Sequence, residues 1–121
     1  MVTWFEIPVT DMDRAKAFYE KVFDIEISLH NIDGLQMGWF PNKNESGMVT
    51  GSLINAGEHY TPSQDGVLIY FSCDDVANEI GRVTAAGGKI IANKTQISET
   101  HGYMGYFIDS EGNRIALHSQ K

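Results

Sequence analysis

Apolar and polar positions along this chain follow one rhythm, change to another, and then repeat the whole series. Trp4-Phe5-Glu6-Ile7-Pro8-Val9 is a short apolar run that closes at Thr10-Asp11. Beyond it Ala15, Phe18, Tyr19 and Val22 recur at helical spacing, with Asp11 placed as N-cap and Arg14, Lys16, Glu20 and Lys21 elsewhere on the circumference. Half a chain later Leu68-Ile69-Tyr70-Phe71-Ser72-Cys73 closes at Asp74-Asp75. Val76, Ile80, Val83 and Ala86 then form a second stripe, and Gly87-Gly88 is its stop signal. The two openings superpose at an offset of 64 residues. After the first helix the pattern predicts strands over Ile25–Leu29, Leu35–Phe40 beyond an Asp33-Gly34 turn, and Val49–Ile54 beyond the polar loop Pro41–Gly47. After the second it predicts Lys89–Ala92, Tyr103–Ile108 and Asn113–Ser119, the last beyond Asp109-Ser110-Glu111-Gly112. The reading is βαβββ twice, an α+β chain of two tandem modules, residues 1–54 and 67–121, joined by a polar connector, 55–66. Neither half is long enough to build a core easily by itself, so 1–121 is expected to be one domain.

Composition narrows the partners. Nine Lys and Arg against sixteen Asp and Glu give a formal charge of -7, with no basic cluster to follow a phosphate backbone, so nucleic acid is not expected as a partner. No uncharged run approaches the roughly 20 apolar residues of a membrane-spanning helix, and the first residues lack a signal-peptide pattern. Cys73 is the only cysteine and has no disulfide partner in the chain, which fits a reducing compartment. A soluble cytoplasmic protein without membrane contact is the expectation.

Strand alternation sorts the faces. Phe5, Ile7 and Val9 oppose Trp4, Glu6 and Pro8; Ile69, Phe71 and Cys73 oppose Leu68, Tyr70 and Ser72; Ile115 and Leu117 oppose Arg114, Ala116 and His118. The uniformly apolar faces are natural partners for the helix stripes. The mixed faces have the make-up of a pocket lining, apolar walls with a few placed polar groups. Cys73 falls on the helix-facing side, away from any nucleophilic role.

The paired modules, the opening from Trp4 to Asp11 leading to Ala17-Phe18-Tyr19, the second opening Tyr70-Phe71-Ser72-Cys73-Asp74-Asp75-Val76, and the closing Phe107-Ile108-Asp109-Ser110-Glu111-Gly112-Asn113 resemble the vicinal oxygen chelate superfamily. Its members include glyoxalase I, extradiol dioxygenases, fosfomycin-resistance enzymes and bleomycin-binding resistance proteins. The resemblance covers nearly the whole chain. It implies a curved half-barrel sheet, formed by the two modules around a central cavity, and a homodimer that covers the open sheet edges. It does not imply one activity, because the chemistries on this fold run from isomerisation to oxygen insertion to sequestration.

Enzymes of the superfamily hold a divalent metal on His and Glu of the first and last strands of each module. Carried onto this sequence, those positions fall on Trp4, Leu68, Ala116 and, by the internal symmetry, near Gly51. None of these residues binds a metal, so no cofactor is implied. One strand step further in, on the same face, stand Glu6, Tyr70 and His118. A displaced divalent metal on Glu6 and His118 would lack a third strong ligand. The trio also suits hydrogen bonding to a small molecule, or acid/base chemistry without a metal. The candidate ligand-binding set is therefore Trp4, Glu6, Leu68, Tyr70, Ala116 and His118.

Plainer roles compete for the same residues: a salt bridge from Glu6 to Arg114, ring packing for Tyr70, a solvated tail position for His118, and surface loops for His30, His59 and His101. The stretch Glu99–Tyr103 has the place of a loop lid over the cavity. The function expected first is a metal-free protein that encloses an apolar or aromatic small molecule against Trp4, Trp39 and Tyr70. The alternative is a glyoxalase-like lyase or isomerase, or a dioxygenase, working through Glu6 as catalytic base or through a displaced metal.

Overall fold

The structure is a computed structural model that describes residues 1–41 and 50–121. The first module runs β1 (Trp4–Pro8), α1 (Met12–Phe23), β2 (Ser28–Ile32), β3 (Leu35–Trp39) and β4 (Thr50–Asn55). The second runs β5 (Ile69–Ser72), α2 (Val76–Ala86), β6 (Lys89–Ser98), β7 (Gly102–Ile108) and β8 (Arg114–Ser119). The sheet orders are β1-β4-β3-β2 and β5-β8-β7-β6, with the first pair parallel and the other neighbours antiparallel in both. The expected two-module α+β architecture is present, as two open four-stranded sheets rather than one continuous one. Val49 and most of the polar loop before it lie outside the described residues.

Both helices begin and end on chemistry visible in the chain. Asp11 caps α1 by accepting from the Arg14 backbone N–H at 3.1 Å, and Asp75 caps α2 by accepting from that of Ala77 at 2.9 Å. Gly87 closes α2 at φ 109°, a left-handed conformation that costs a glycine little. Between β2 and β3, Asp33 (φ 51°) and Gly34 (φ 84°) make a two-residue turn of the kind that matches strand twist.

Two predicted strands move. Ile25–Ile27 are not in β2, because the Ile25 N–H is taken by the Glu20 carbonyl at 3.3 Å and the Ile27 N–H by the Glu20 carboxylate at 2.9 Å. Those donors are spent on the end of α1, so sheet pairing starts at Ser28. In the other direction, β6 continues six residues past Ala92 to Ser98, carried through a polar stretch by register shifts against β7. Bulges break the two-residue alternation, which hides such a strand in the sequence.

The helix stripes pack on the apolar strand faces in one buried cluster drawn from both modules. Ala15, Phe18, Tyr19 and Val22 of α1 meet Val76, Ile80 and Val83 of α2, with Ile7, Leu53, Phe107, Ile115 and Leu117 from the sheets. At roughly 1.5–3 kcal/mol for each fully buried large apolar side chain, this shared layer is the main source of stability.

A polar clasp adds to it. The Asp109 carboxylate accepts three backbone N–H bonds, from Glu111, Gly112 and Asn113, each at 2.9 Å, and the Tyr19 hydroxyl at 2.5 Å. Asn113 donates to the Pro8 carbonyl at 2.8 Å. Glu111, its side chain wholly buried, accepts from the backbone N–H groups of Thr10 and Asp11 at 2.9 Å and from Arg14 at 2.7 Å. One turn of the second module thus fixes the start of α1 in the first. Burial alone would raise the Glu111 carboxyl, but Arg14 and the Asp11 and Thr10 amides pull it down to about 2. Among the described residues no helix is long and apolar enough to cross a membrane.

Candidate functional site

Among the described residues β1 and β5 each have a single hydrogen-bonded neighbour, so each leaves one edge unpaired. A groove of about 1070 Å³ runs along these two strands. Trp4 and Glu6 line it from the first module, Leu68 and Tyr70 from the second, with Arg114 of β8, while Phe5 and Phe71 bring the edge of the apolar core into its floor. Its wall is mostly apolar, with a few placed polar groups.

The first-module wall is organised around Glu6. Trp4 stands edge-to-face on Trp39 with ring centroids 6.1 Å apart, and its indole N–H donates to Glu6 at 3.3 Å. The Tyr60 hydroxyl donates to the other Glu6 oxygen. Burial, together with that carboxylate, pushes the Tyr60 hydroxyl up to about 12, so it stays a proton donor throughout the physiological range. Glu6 itself is solvent-exposed, and among the described residues it makes no ion pair with Arg114. Tyr60 was not singled out in the sequence. Its signal was an aromatic residue within the otherwise polar connector.

The second-module wall is organised around Ala116. In register, Ala116 lies between Tyr70 of β5 and Tyr106 of β7, and the two hydroxyls meet at 3.2 Å. A methyl group is small enough for both rings to close over it, and Ala116 is fully buried as a result. The Tyr70 hydroxyl is raised by its hydrogen bond to Tyr106 and by burial, against an opposing pull from the Arg114 charge. The Arg114 guanidinium lies over the Tyr106 ring, 4.9 Å from its centroid, a cation–π contact. Tyr106 also went unremarked in the sequence, although strand alternation from Ile108 places it on this face.

The structure brings together Trp4, Glu6, Leu68 and Tyr70 on the groove, whereas Ala116 is buried and does not line it. His118 does not join them. Its Nε2 lies 2.7 Å from the His101 carbonyl, at the hairpin between β6 and β7. Glu6 with Trp4 and Tyr60, Tyr70 with Tyr106, and His118 with His101 therefore engage other partners rather than one another. Trp39 supports Trp4 from behind and does not line the groove; its indole N–H is buried without a partner among the described residues. His30, expected in a surface loop, is in β2 and stacks on Trp39 at 3.7 Å between centroids. The stretch Glu99–Tyr103 forms the β6–β7 turn and the start of β7, held by the Ser98 and His101 side chains, and lines none of the groove. Cys73 is half-buried, and burial with the nearby Glu79 carboxylate pushes its thiol up to about 12, far from a nucleophilic thiolate.

The register also corrects the fourth ligand position of the metal-dependent relatives. A 64-residue offset from Ala116 lands on Ser52, which pairs with Glu6 as Ala116 pairs with Tyr70. Gly51 instead faces the core, where a Cβ would stand 2.3 Å from the Phe5 carbonyl. Ser52 is buried, with its hydroxyl donating to the Gly38 and Leu53 carbonyls. An indole, two aliphatic side chains and an engaged hydroxyl do not fit a divalent ion, and among the described residues no group of three or more His, Cys, Asp and Glu is placed to hold one.

Likeness to known proteins runs through the fold. Among curated proteins none matches in sequence. Solved structures match over almost the whole chain. A maize (Zea mays) glyoxalase I mutant, E144Q, superposes with a TM-score of 0.77 at 17% identity, covering 98% of this chain and 46% of the enzyme. This chain thus spans about half the length of the maize enzyme. UcmS2 superposes with 0.74 at 22% identity over 100% of this chain and 98% of its own. A glyoxalase/bleomycin resistance protein from Albidiferax ferrireducens T118 gives 0.73 at 16%, covering 100% and 99%. At these identities the structures establish the fold alone. The family model described as Glyoxalase/Bleomycin resistance protein/Dioxygenase superfamily matches residues 2–117, and the chain belongs to that superfamily.

Proposed function

We propose that the protein binds an apolar or aromatic small molecule in the groove between its modules without a metal, in the manner of a sequestering member of its superfamily. The observation that carries this reading is the replacement of the metal-ligand positions by Trp4, Leu68, Ala116 and Ser52 beside a groove walled by aromatic rings. Ring faces and aliphatic surface supply affinity, and Glu6, Tyr60 and Arg114 supply orientation. The working form is a cytoplasmic homodimer in which a second copy covers open sheet edges away from the groove.

The test combines metals with an aromatic probe. After dialysis against EDTA, added Zn²⁺, Ni²⁺ or Mn²⁺ should leave the melting temperature unchanged, whereas naphthalene should raise it, because only a species that binds the folded state stabilises it. Stoichiometric stabilisation by a metal would refute the reading. Glu6 also supports a second reading, as a catalytic base, because it is exposed on the groove and hydrogen-bonded by two side chains. Glu6→Gln separates the two: a base acts on the transition state, so its loss abolishes turnover and spares binding.

A further inference from the structure

We propose, resting on the reading of the groove as a small-molecule site, that its ligands are flat aromatic molecules with an anionic group at one end and a hydrogen-bond donor at the other. Among the described residues Arg114 is the only basic side chain that lines the groove, and it forms no ion pair with any carboxylate. Its guanidinium rests on the Tyr106 ring, which fixes the plane of the side chain and leaves its N–H donors for an incoming anion. Glu6 stands on the other wall. Its oxygens accept from Tyr60 and Trp4, but a carboxylate offers about four acceptor sites, so it retains room for another donor.

These opposite charges line one groove without forming an ion pair, and the rings of Trp4 and Tyr70 and the side chain of Leu68 line it with them; Asp74 and Glu79 add two further carboxylates to the lining, and Glu79 lies 3.9 Å from Arg82. A molecule that satisfies both walls must span an apolar interval with complementary polar ends. A plain cation would leave Arg114 unmatched. A plain anion would leave Glu6 unmatched and would meet the field of a chain carrying -7. Exposure of both side chains keeps the desolvation cost of the two polar contacts small, so selection comes from their joint placement.

The experiment is calorimetric titration with four related probes: naphthalene, naphthalene-2-carboxylate, 2-aminonaphthalene and 6-aminonaphthalene-2-carboxylate. The amino acid of the set should bind at least tenfold more tightly than either singly substituted probe. Arg114→Gln should erase its advantage over 2-aminonaphthalene, and Glu6→Gln its advantage over naphthalene-2-carboxylate. Equal affinity for all four probes would overturn the assigned ligand class while leaving the groove reading in place. Failure of every probe, naphthalene included, would overturn the groove reading and the ligand class with it. The comparison among probes on the unaltered protein decides the matter even if a variant fails to fold.

Discussion

The two modules share a topology strand for strand, yet one face of each has been furnished differently. In the first module Trp4 and Trp39 support an acid, Glu6, that a connector tyrosine reaches. In the second Tyr70 and Tyr106 close over Ala116 and support a base, Arg114. The β6–β7 hairpin is also longer, with strands of ten and seven residues against five and five for β2–β3. Only the second module carries the Asp-x-x-Gly-Asn sequence, since Glu45-Ser46-Gly47-Met48-Val49 stands at the corresponding positions. A shared backbone plan therefore leaves the strand faces free to diverge. One turn of the second module has become the fastening for both.

On that asymmetry, the clasp is where the protein breaks most easily. Asp109→Ala removes an acceptor for three backbone N–H groups and for Tyr19, and should cost about 3–4 kcal/mol. In a chain of this size that is a fall of roughly 10–15 °C in melting temperature, which calorimetry would show. A fall of only a degree or two would mean that the core alone joins the modules.

Acid should act on the same turn. The Glu111 carboxyl sits at about 2 against an ordinary 4.5, a folded-state value below the unfolded one. Its stabilisation is therefore complete above about pH 4.5 and is lost as pH falls toward 2. After allowance for screening the loss should be on the order of 2 kcal/mol. Urea melts at pH 6 and pH 3 should show it, and Glu111→Gln should flatten the difference between them.

Ala116→Ile tests the second wall. The larger side chain has no space under the Tyr70 and Tyr106 rings and should cost about 1–3 kcal/mol while parting their hydroxyls. The equivalent change on the first wall should do least. Glu6→Gln alters an exposed side chain and should shift stability by less than about 0.5 kcal/mol, so any change it brings in ligand affinity is a property of the site alone.

Much of this architecture was legible in the chain. The stripe Ala15–Phe18–Tyr19–Val22, the caps at Asp11 and Asp75 and the stop at Gly87 rest on local rules, and local rules survive folding. So did the sorting of Phe5, Ile7, Ile115 and Leu117 onto the helix side. What escaped depends on partners distant in sequence or on a broken period. Ile25–Ile27 read as a strand because nothing local reveals that Glu20 will take their amides. The position near Gly51 resolves to Ser52 only in the pairing of β1 with β4, because the unmatched loop before β4 leaves no anchor for counting. Tyr60 reaches Glu6 across 54 residues of sequence, a contact that only tertiary structure discloses.

Synthesis adds a consequence to the clasp. Thr10 and Glu111 are 101 residues apart, and Tyr19 and Asp109 are 90 apart. The first module emerges from the ribosome long before the residues that complete it, with the start of α1 and the Tyr19 hydroxyl still waiting for their acceptors. Closing so long a loop carries an entropic cost that local contacts do not offset, so commitment to the native state comes late and folding is slow for a chain of this length. Nascent chains arrested before residue 109 should accordingly be cut by protease within the first module, and the full chain released from the ribosome should resist.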